Sequence, residues 1–458
     1  MSRLFRLWAL LCCLMAPTGA AAQIGGPNAA PSDDAILNLS VAVILDRDGN
    51  RHDLLNELVA RGNRDIIPTL VLMMRITGEH VHVAEALSEM TGTVINTWRE
   101  AMLWQEAHPE IVPHPSYAEL KLRFWSSIDE RFLLFFNDPS DRDELRIRFE
   151  EITWGGVRVD GIPSLDNPEM IAADAADYMQ DSDLVFGVEI NGDVRAYPLR
   201  IMCWHEMFND VIGGVPVALA YCTLCGAGIL FETDVAGQDQ TFVFGSSGFL
   251  YRSNKLMFDR QTRSLWNQFT GEPVGGPLAH SGIRLKIRPV TITSWADWRA
   301  RHPESRVLSL ETGHIRDYDS GVVYRDYFAS PDLMFPTLVD QTRLGQKDYV
   351  YGIRVAGGAK AWPLAAFEGG RVVNDQVGFS NVVLIGDAAT WTVRAYDRGD
   401  RVFSGDGQTV TDPVGAWQIT EDALVGPSGE RLPRVPGHIA YWFAWDGYLG
   451  AESALFDG

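Results

Sequence analysis

An internal echo runs through this chain. The run DLVFGVEINGDVRAYPL begins at Asp183, and DYVYGIRVAGGAKAWPL begins at Asp348, 165 residues later. The same offset carries Asn209-Asp210 onto Asn374-Asp375, Gly213 onto Gly378 and Phe231 onto Tyr396 without a gap. Farther on the pairing loosens, with Asp259 and Trp266 against Asp412 and Trp417 and WADW against WFAW. A register kept over such a span reads as one structural unit used twice. Residues present in both copies are those the unit needs in order to fold. Residues present in one copy are candidates for chemistry.

The repeated unit is β-rich. From Ile152 onward the chain has short β-type runs separated by Gly and Pro, and Asn191-Gly192 between LVFGVEI and VRAYPL supplies the positive φ of a type I′ hairpin. The earlier part reads as helices. HDLLNELVARG, DIIPTLVLMMRITG and EHVHVAEALSEMTG, within residues 52–92, each close on a glycine, and residues 116–136 continue as one amphipathic helix broken by NDPSD. The spacing of the paired helices, with Pro68 near the start of one, is HEAT-like. The expected fold class is α+β, with a helical HEAT-like domain at 23–150, a first β-rich copy at 151–313, a connector at 314–347 and a second copy at 348–458.

Residues 1–22 read as a secretory signal peptide. Arg3 and Arg6 precede an apolar run from Leu7 to Met15, and TGAAA ends at Ala22. The run is too short to span a membrane, and no later stretch has the ~18 apolar residues a span needs. An exported protein, periplasmic or extracellular, is expected. Without the leader, 37 basic residues face 60 acidic ones, a net charge of −23. Such a surface repels phosphate backbones, so no nucleic acid partner is expected. A protein partner would dock on the helical domain, and the identity of a small-molecule substrate is not legible.

Two of the five cysteines, Cys12 and Cys13, fall in the leader. The other three crowd with a histidine into CWHEMFNDVIGGVPVALAYCTLCG: Cys203, His205, Cys222 and Cys225. At the 165-residue offset these become Glu368, Gly370, Asp387 and Thr390, so every one is confined to the first copy. If Cys203 and His205 share one face of a strand, then with Cys222-x-x-Cys225 they make a Cys₃His or Cys₂His ligand set for zinc or, given soft thiolates, copper. An open fourth position would activate a bound water or small ligand, whereas a closed set would be structural zinc in a non-catalytic interaction protein. The alternative is a periplasmic thiol-disulfide oxidoreductase using Cys222 and Cys225. VALAYC and GAGILFE both read as strands, which leaves the pair without the following helix that lowers a thiol pKa in thioredoxin-like proteins.

Glu206, beside His205, is the candidate general base. Asn209-Asp210 is kept in both copies and reads as structural. GSSG at 245–248 fails the G-x-S-x-G pattern of a serine hydrolase, because residue 249 is Phe. SSGFLYRSNKLM (246–257) lacks a counterpart in the second copy and reads as a loop beside the site. Asp259, Arg260 and Arg263 read as an ion pair bracing a hairpin, with Arg252, Asp259 and Arg260 as lesser anion-site candidates. His80 and His82, two residues apart in the helical region, fall on different helix faces and read as ordinary polar positions.

With these motifs in hand the chain resembles the bacterial domain of unknown function family 3179 (DUF3179). The resemblance runs from VDGIPSLDNP (159–168) through RAYPLRIMCWHEMFND, YCTLCG, SGFLYRSNKLMFDRQTRSLW and WADWRARHP to LSLETG, and resumes in the second copy. It implies no settled activity, but it marks WHE and YCxLCG as hallmarks. Thr223 stands where the family more often has proline. Cys203 is less typical of the family than the other three, which favours a Cys₂His core of His205, Cys222 and Cys225 with an open position.

Overall fold

The computed structural model describes residues 33–138 and 143–458; the leader expected at residues 1–22 lies outside them. Two compact units are present, Met1–Ile152 and Thr153–Gly458. Both copies and the connector fall in the second unit. They are not separate bodies, because one hydrophobic core takes Phe186, Tyr197 and Leu219 from the first copy and Tyr351, Trp362 and Leu384 from the second.

The first unit is helical, with helices at Asp33–Leu45, Arg51–Val59, Ile67–Thr77, Val81–Thr91, Trp98–Ala107 and Ser116–Ile128. Gly78 (φ 69°) and Gly92 (φ 70°) end their helices in the left-handed region, as their positions in the sequence imply. The helix expected over 116–136 instead stops at Ile128. Asp129 turns extended there, and its side chain accepts the Arg131 N–H to start a 3₁₀ turn at Glu130–Phe135. Ile36, Leu55, Leu70, Met73 and Val83 fill the space between the helices. No helix among the described residues is long and apolar enough to cross a membrane.

In the second unit the echo becomes a repeated topology. Strands Thr291–Ser294, Leu184–Ile190, Asp193–Pro198 and Arg306–Leu308 lie side by side in the first copy, and Gly437–Tyr441, Tyr349–Val355, Gly358–Pro363 and Ser453–Leu455 in the second. In each case the last pair is parallel and the others antiparallel. A further meander, Met207–Ile212, Val215–Cys222 and Ala227–Glu232, is matched by Arg371–Val377, Ser380–Asp387 and Thr392–Asp397. The first hairpin turns at Asn191 (φ 50°) and Gly192 (φ 78°), the positive pair a type I′ turn requires.

The retained residues explain the repetition. Asp210 accepts from Arg195 Nη1 and Tyr197 O–H, both at 2.7 Å; Asp375 accepts from Lys360 Nζ at 2.9 Å and Trp362 Nε1 at 2.8 Å. Asn209 brackets the backbone of Phe244, and Asn374 that of Phe403. Trp298 and Trp445, from WADW and WFAW, pack against Gly187 and Gly352. A Cβ there would stand 2.2 Å and 1.9 Å from the respective rings. Gly352→Ala is therefore expected to force the buried Trp445 aside and cost about 1–3 kcal/mol. Urea denaturation checks this, and an unchanged midpoint would refute the seat.

Candidate functional site

The Cys/His run folds differently from the strand expected of it. Residues Leu199–His205 form a short helix entered from extended Pro198 and ended by Glu206, which adopts φ 53°. Two residues along a helix are about 200° apart around its axis. Cys203 and His205 therefore point to different sides, whereas a strand would have aligned them.

His205 is fully buried. Its Nδ1 lies 2.9 Å from the Pro163 carbonyl oxygen, which can only accept, so Nδ1 carries the proton and Nε2 accepts from the Tyr318 O–H at 2.6 Å. Burial lowers its pKa to about 4, against the opposing pull of the Pro163 carbonyl, and the ring is neutral at neutral pH. Cys203 donates its thiol hydrogen to Tyr221 Oη at 4.0 Å. Burial pushes this thiol up to about 12, so it is not a thiolate nucleophile at neutral pH.

Cys222 and Cys225 are joined by a disulfide with Cα atoms 5.2 Å apart. They flank the 3₁₀ turn Thr223–Cys225, which Gly226 closes at φ 61°. Among the described residues, Cys203, His205 and the cysteine pair do not gather three ligand atoms around one point. The region expected to be a loop beside them is a hairpin, Phe244–Tyr251 and Asn254–Asp259, and its Ser253 carbonyl oxygen lies 3.7 Å from Cys225 Sγ.

Glu206, the candidate base, is buried with its carboxylate 3.0 Å from Lys255 Nζ and 3.4 Å from the Tyr324 hydroxyl, which donates to it. Its carbonyl accepts the Tyr221 N–H at 2.8 Å, tying the end of the short helix to the strand that delivers Cys222. Non-glycine residues with positive φ surround the disulfide: Glu206, Arg252 (φ 46°) and Ser253 (φ 62°). Such backbone carries a cost and collects at functional sites. Thr223 Oγ1, Asn254 Oδ1 and Gln268 Oε1, on segments that touch the turn, are buried without hydrogen-bond partners, a further desolvation cost. Gln268 Nε2 meanwhile bridges the Ala220 and Ala227 carbonyls on the strands flanking the pair.

A cavity of about 480 Å³ opens against this turn. Cys203, Tyr221 and Gly226 of the first copy and Tyr349, Trp391 and Tyr441 of the second line it. Gly226 matters here because a Cβ on it would stand 2.9 Å from the Tyr349 ring. Arg200, paired with Asp183 at 3.0 Å, and Lys347 add charge to the wall.

Sequence reading missed the connector's part. Tyr318 holds His205, Tyr324 holds Glu206, and the Tyr327 hydroxyl donates to the Leu224 carbonyl inside the cysteine turn at 2.6 Å. The available signal was RDYDSGVVYRDYF (316–328), which is tyrosine-rich and carries Arg-Asp-Tyr twice. Lys255 was missed as well. Of the lesser candidates, Asp259 accepts from Trp266 Nε1 at 2.8 Å rather than pairing with an arginine, and Arg260 pairs with Asp160 at 2.9 Å.

The family described as "Protein of unknown function (DUF3179)" matches over residues 159–452, most of the second unit. No curated protein and no solved structure matches the chain. The match spans the helix of Cys203 and His205, the disulfide turn and the connector tyrosines, and the chain belongs to the DUF3179 family.

Proposed function

We propose that the chain is a thiol-disulfide oxidoreductase whose redox pair is Cys222–Cys225. One comparison within the molecule carries this reading. The second copy builds the same turn at the same offset, Ala388–Thr390 closed by Trp391 at φ 62°, with no cysteine in it. Asp387, at the place of Cys222, holds that turn by accepting the Ala389 N–H at 2.9 Å. A disulfide across so short a loop stabilises by only about 2 kcal/mol on the chain-entropy account. The fold therefore has another way to close the turn, and the disulfide is left for chemistry.

The exchange balances as follows. A substrate thiolate attacks one sulfur, forming a mixed disulfide and releasing the other cysteine. A second substrate thiolate then attacks the mixed disulfide. Two thiols become one disulfide, and their two electrons and two protons end on Cys222 and Cys225. Cys225, once reduced, has the Ser253 carbonyl as an acceptor. Both cysteines are nearly inaccessible, and the cavity comes up to the turn at Gly226, so the substrate is a small thiol or an extended segment. Export, expected from the leader, would supply an oxidising compartment.

In a single turnover with reduced glutathione, the oxidised full chain is expected to yield one equivalent of glutathione disulfide. Cys222→Ser and Cys225→Ser should each lower the rate at least 100-fold, with Cys203→Ser within about threefold of wild type. Unchanged rates in the two serine variants would sink the reading.

A copper or zinc site formed after reduction is the second reading. What favours it is the carbonyl-anchored Nδ1 of His205, the arrangement metal-bound imidazoles use to present Nε2. Nε2 here faces Tyr318, which places this reading behind the first.

A further inference from the structure

The helical unit carries a cluster that the cysteine chemistry does not use. His52 stands in the first turn of helix Arg51–Val59, and His82 and Glu85 stand in the first turns of helix Val81–Thr91. The packing of these helices brings one ligand atom from each of the three residues within 4.8 Å of the others. His82 Nδ1 is 2.9 Å from Glu85 Oε2, the neighbour expected three residues on, and the His52 and His82 rings are 4.9 Å apart, centre to centre. His80, read from the sequence as an ordinary polar residue, is the N-cap of the same helix. Its Nδ1 accepts the His82 N–H, and its ring is 5.3 Å from that of His82.

We propose that His52, His82 and Glu85 form a binding site for a divalent first-row transition metal, separate from the Cys222–Cys225 turn. Two imidazoles and a carboxylate suit Zn²⁺ and its neighbours; a site without thiolates does not favour Cu(I), and one with two nitrogen donors does not favour Ca²⁺ or Mg²⁺. Zinc bonds of 2.0–2.1 Å put tetrahedral ligand atoms about 3.3 Å apart. The His82–Glu85 pair need only open by a few tenths of an ångström, and the third ligand must close by at most about 1.5 Å. His52 and Glu85 are exposed and free to turn toward the ion, with solvent completing the coordination. The positive ends of the two helices oppose a cation, and the Glu85 carboxylate offsets them. The Arg51 cation nearby is paired with Asp46 at 3.6 Å.

The test titrates Zn²⁺, which cannot oxidise thiols, into the full oxidised chain at pH 7 and follows binding by calorimetry and by the melting temperature. One equivalent should bind at micromolar metal and raise the melting temperature of wild type. His52→Ala and His82→Ala should each weaken binding at least tenfold and abolish that rise. Glu85→Gln keeps the side-chain shape without the charge and should weaken binding similarly, which guards against misfolding of a histidine variant. Wild-type affinity in His52→Ala and His82→Ala, no binding in wild type, or a zinc equivalent lost only in His205→Ala would each overturn the proposal.

Discussion

Replacing Glu421 by alanine is expected to destabilise the second unit by about 3–5 kcal/mol, the usual result of stripping one partner from a buried ion pair. Glu421 accepts from Arg394 Nε at 2.8 Å and Arg434 Nη1 at 2.9 Å, and both guanidiniums are almost wholly buried. The Thr291 hydroxyl, from the first copy, donates to the same carboxylate at 2.8 Å, so the cluster fastens the two copies together. Burial alone would raise the Glu421 pKa, but Arg394, His302 and Arg434 outweigh it and hold the carboxyl well below its ordinary range. The sign of the pH dependence follows. A depressed folded pKa gives stability that is fully present above the unfolded value of about 4.3 and is lost as pH falls through the folded value. Urea denaturation of wild type and variant at pH 7 and at pH 3 checks both parts. The gap between them should be widest at pH 7 and should narrow in acid. A variant within 1 kcal/mol of wild type at pH 7 would show that the cluster is not the fastening.

Much of the β-rich fold was legible because the chain writes it twice. Gly187 and Gly352 recur because an indole packs against the strand there, and Asp210 and Asp375 recur because each accepts from two donors on the preceding hairpin strand. The two copies sit together in a single unit. The shared core is built from alternating apolar residues whose partner copy no pattern specifies.

The site was half legible. Its four residues could be singled out by their absence from the second copy, but their arrangement could not. Spacing has meaning only once an element is assigned, and Cys203-x-His205 converges on a strand but diverges on a helix. Pro198, just before the helix, was the overlooked cue, since proline commonly precedes or opens a helix. Tyr318, Tyr324 and Tyr327 lie in the connector, which belongs to neither copy, so comparison of the copies is silent there. His52 and His82 are thirty residues apart, and only the packing of their helices brings them together.

Whether Cys222–Cys225 is a working redox pair or a staple is decided by its reduction potential. The full chain is equilibrated in glutathione buffers of graded ratio, and thiols are trapped by alkylation and counted by mass spectrometry, with Cys203 as the internal thiol that stays reduced. A potential between about −120 and −270 mV, the range of catalytic dithiols, is predicted. A value below about −300 mV, where structural disulfides of secreted proteins lie, would make the pair a staple.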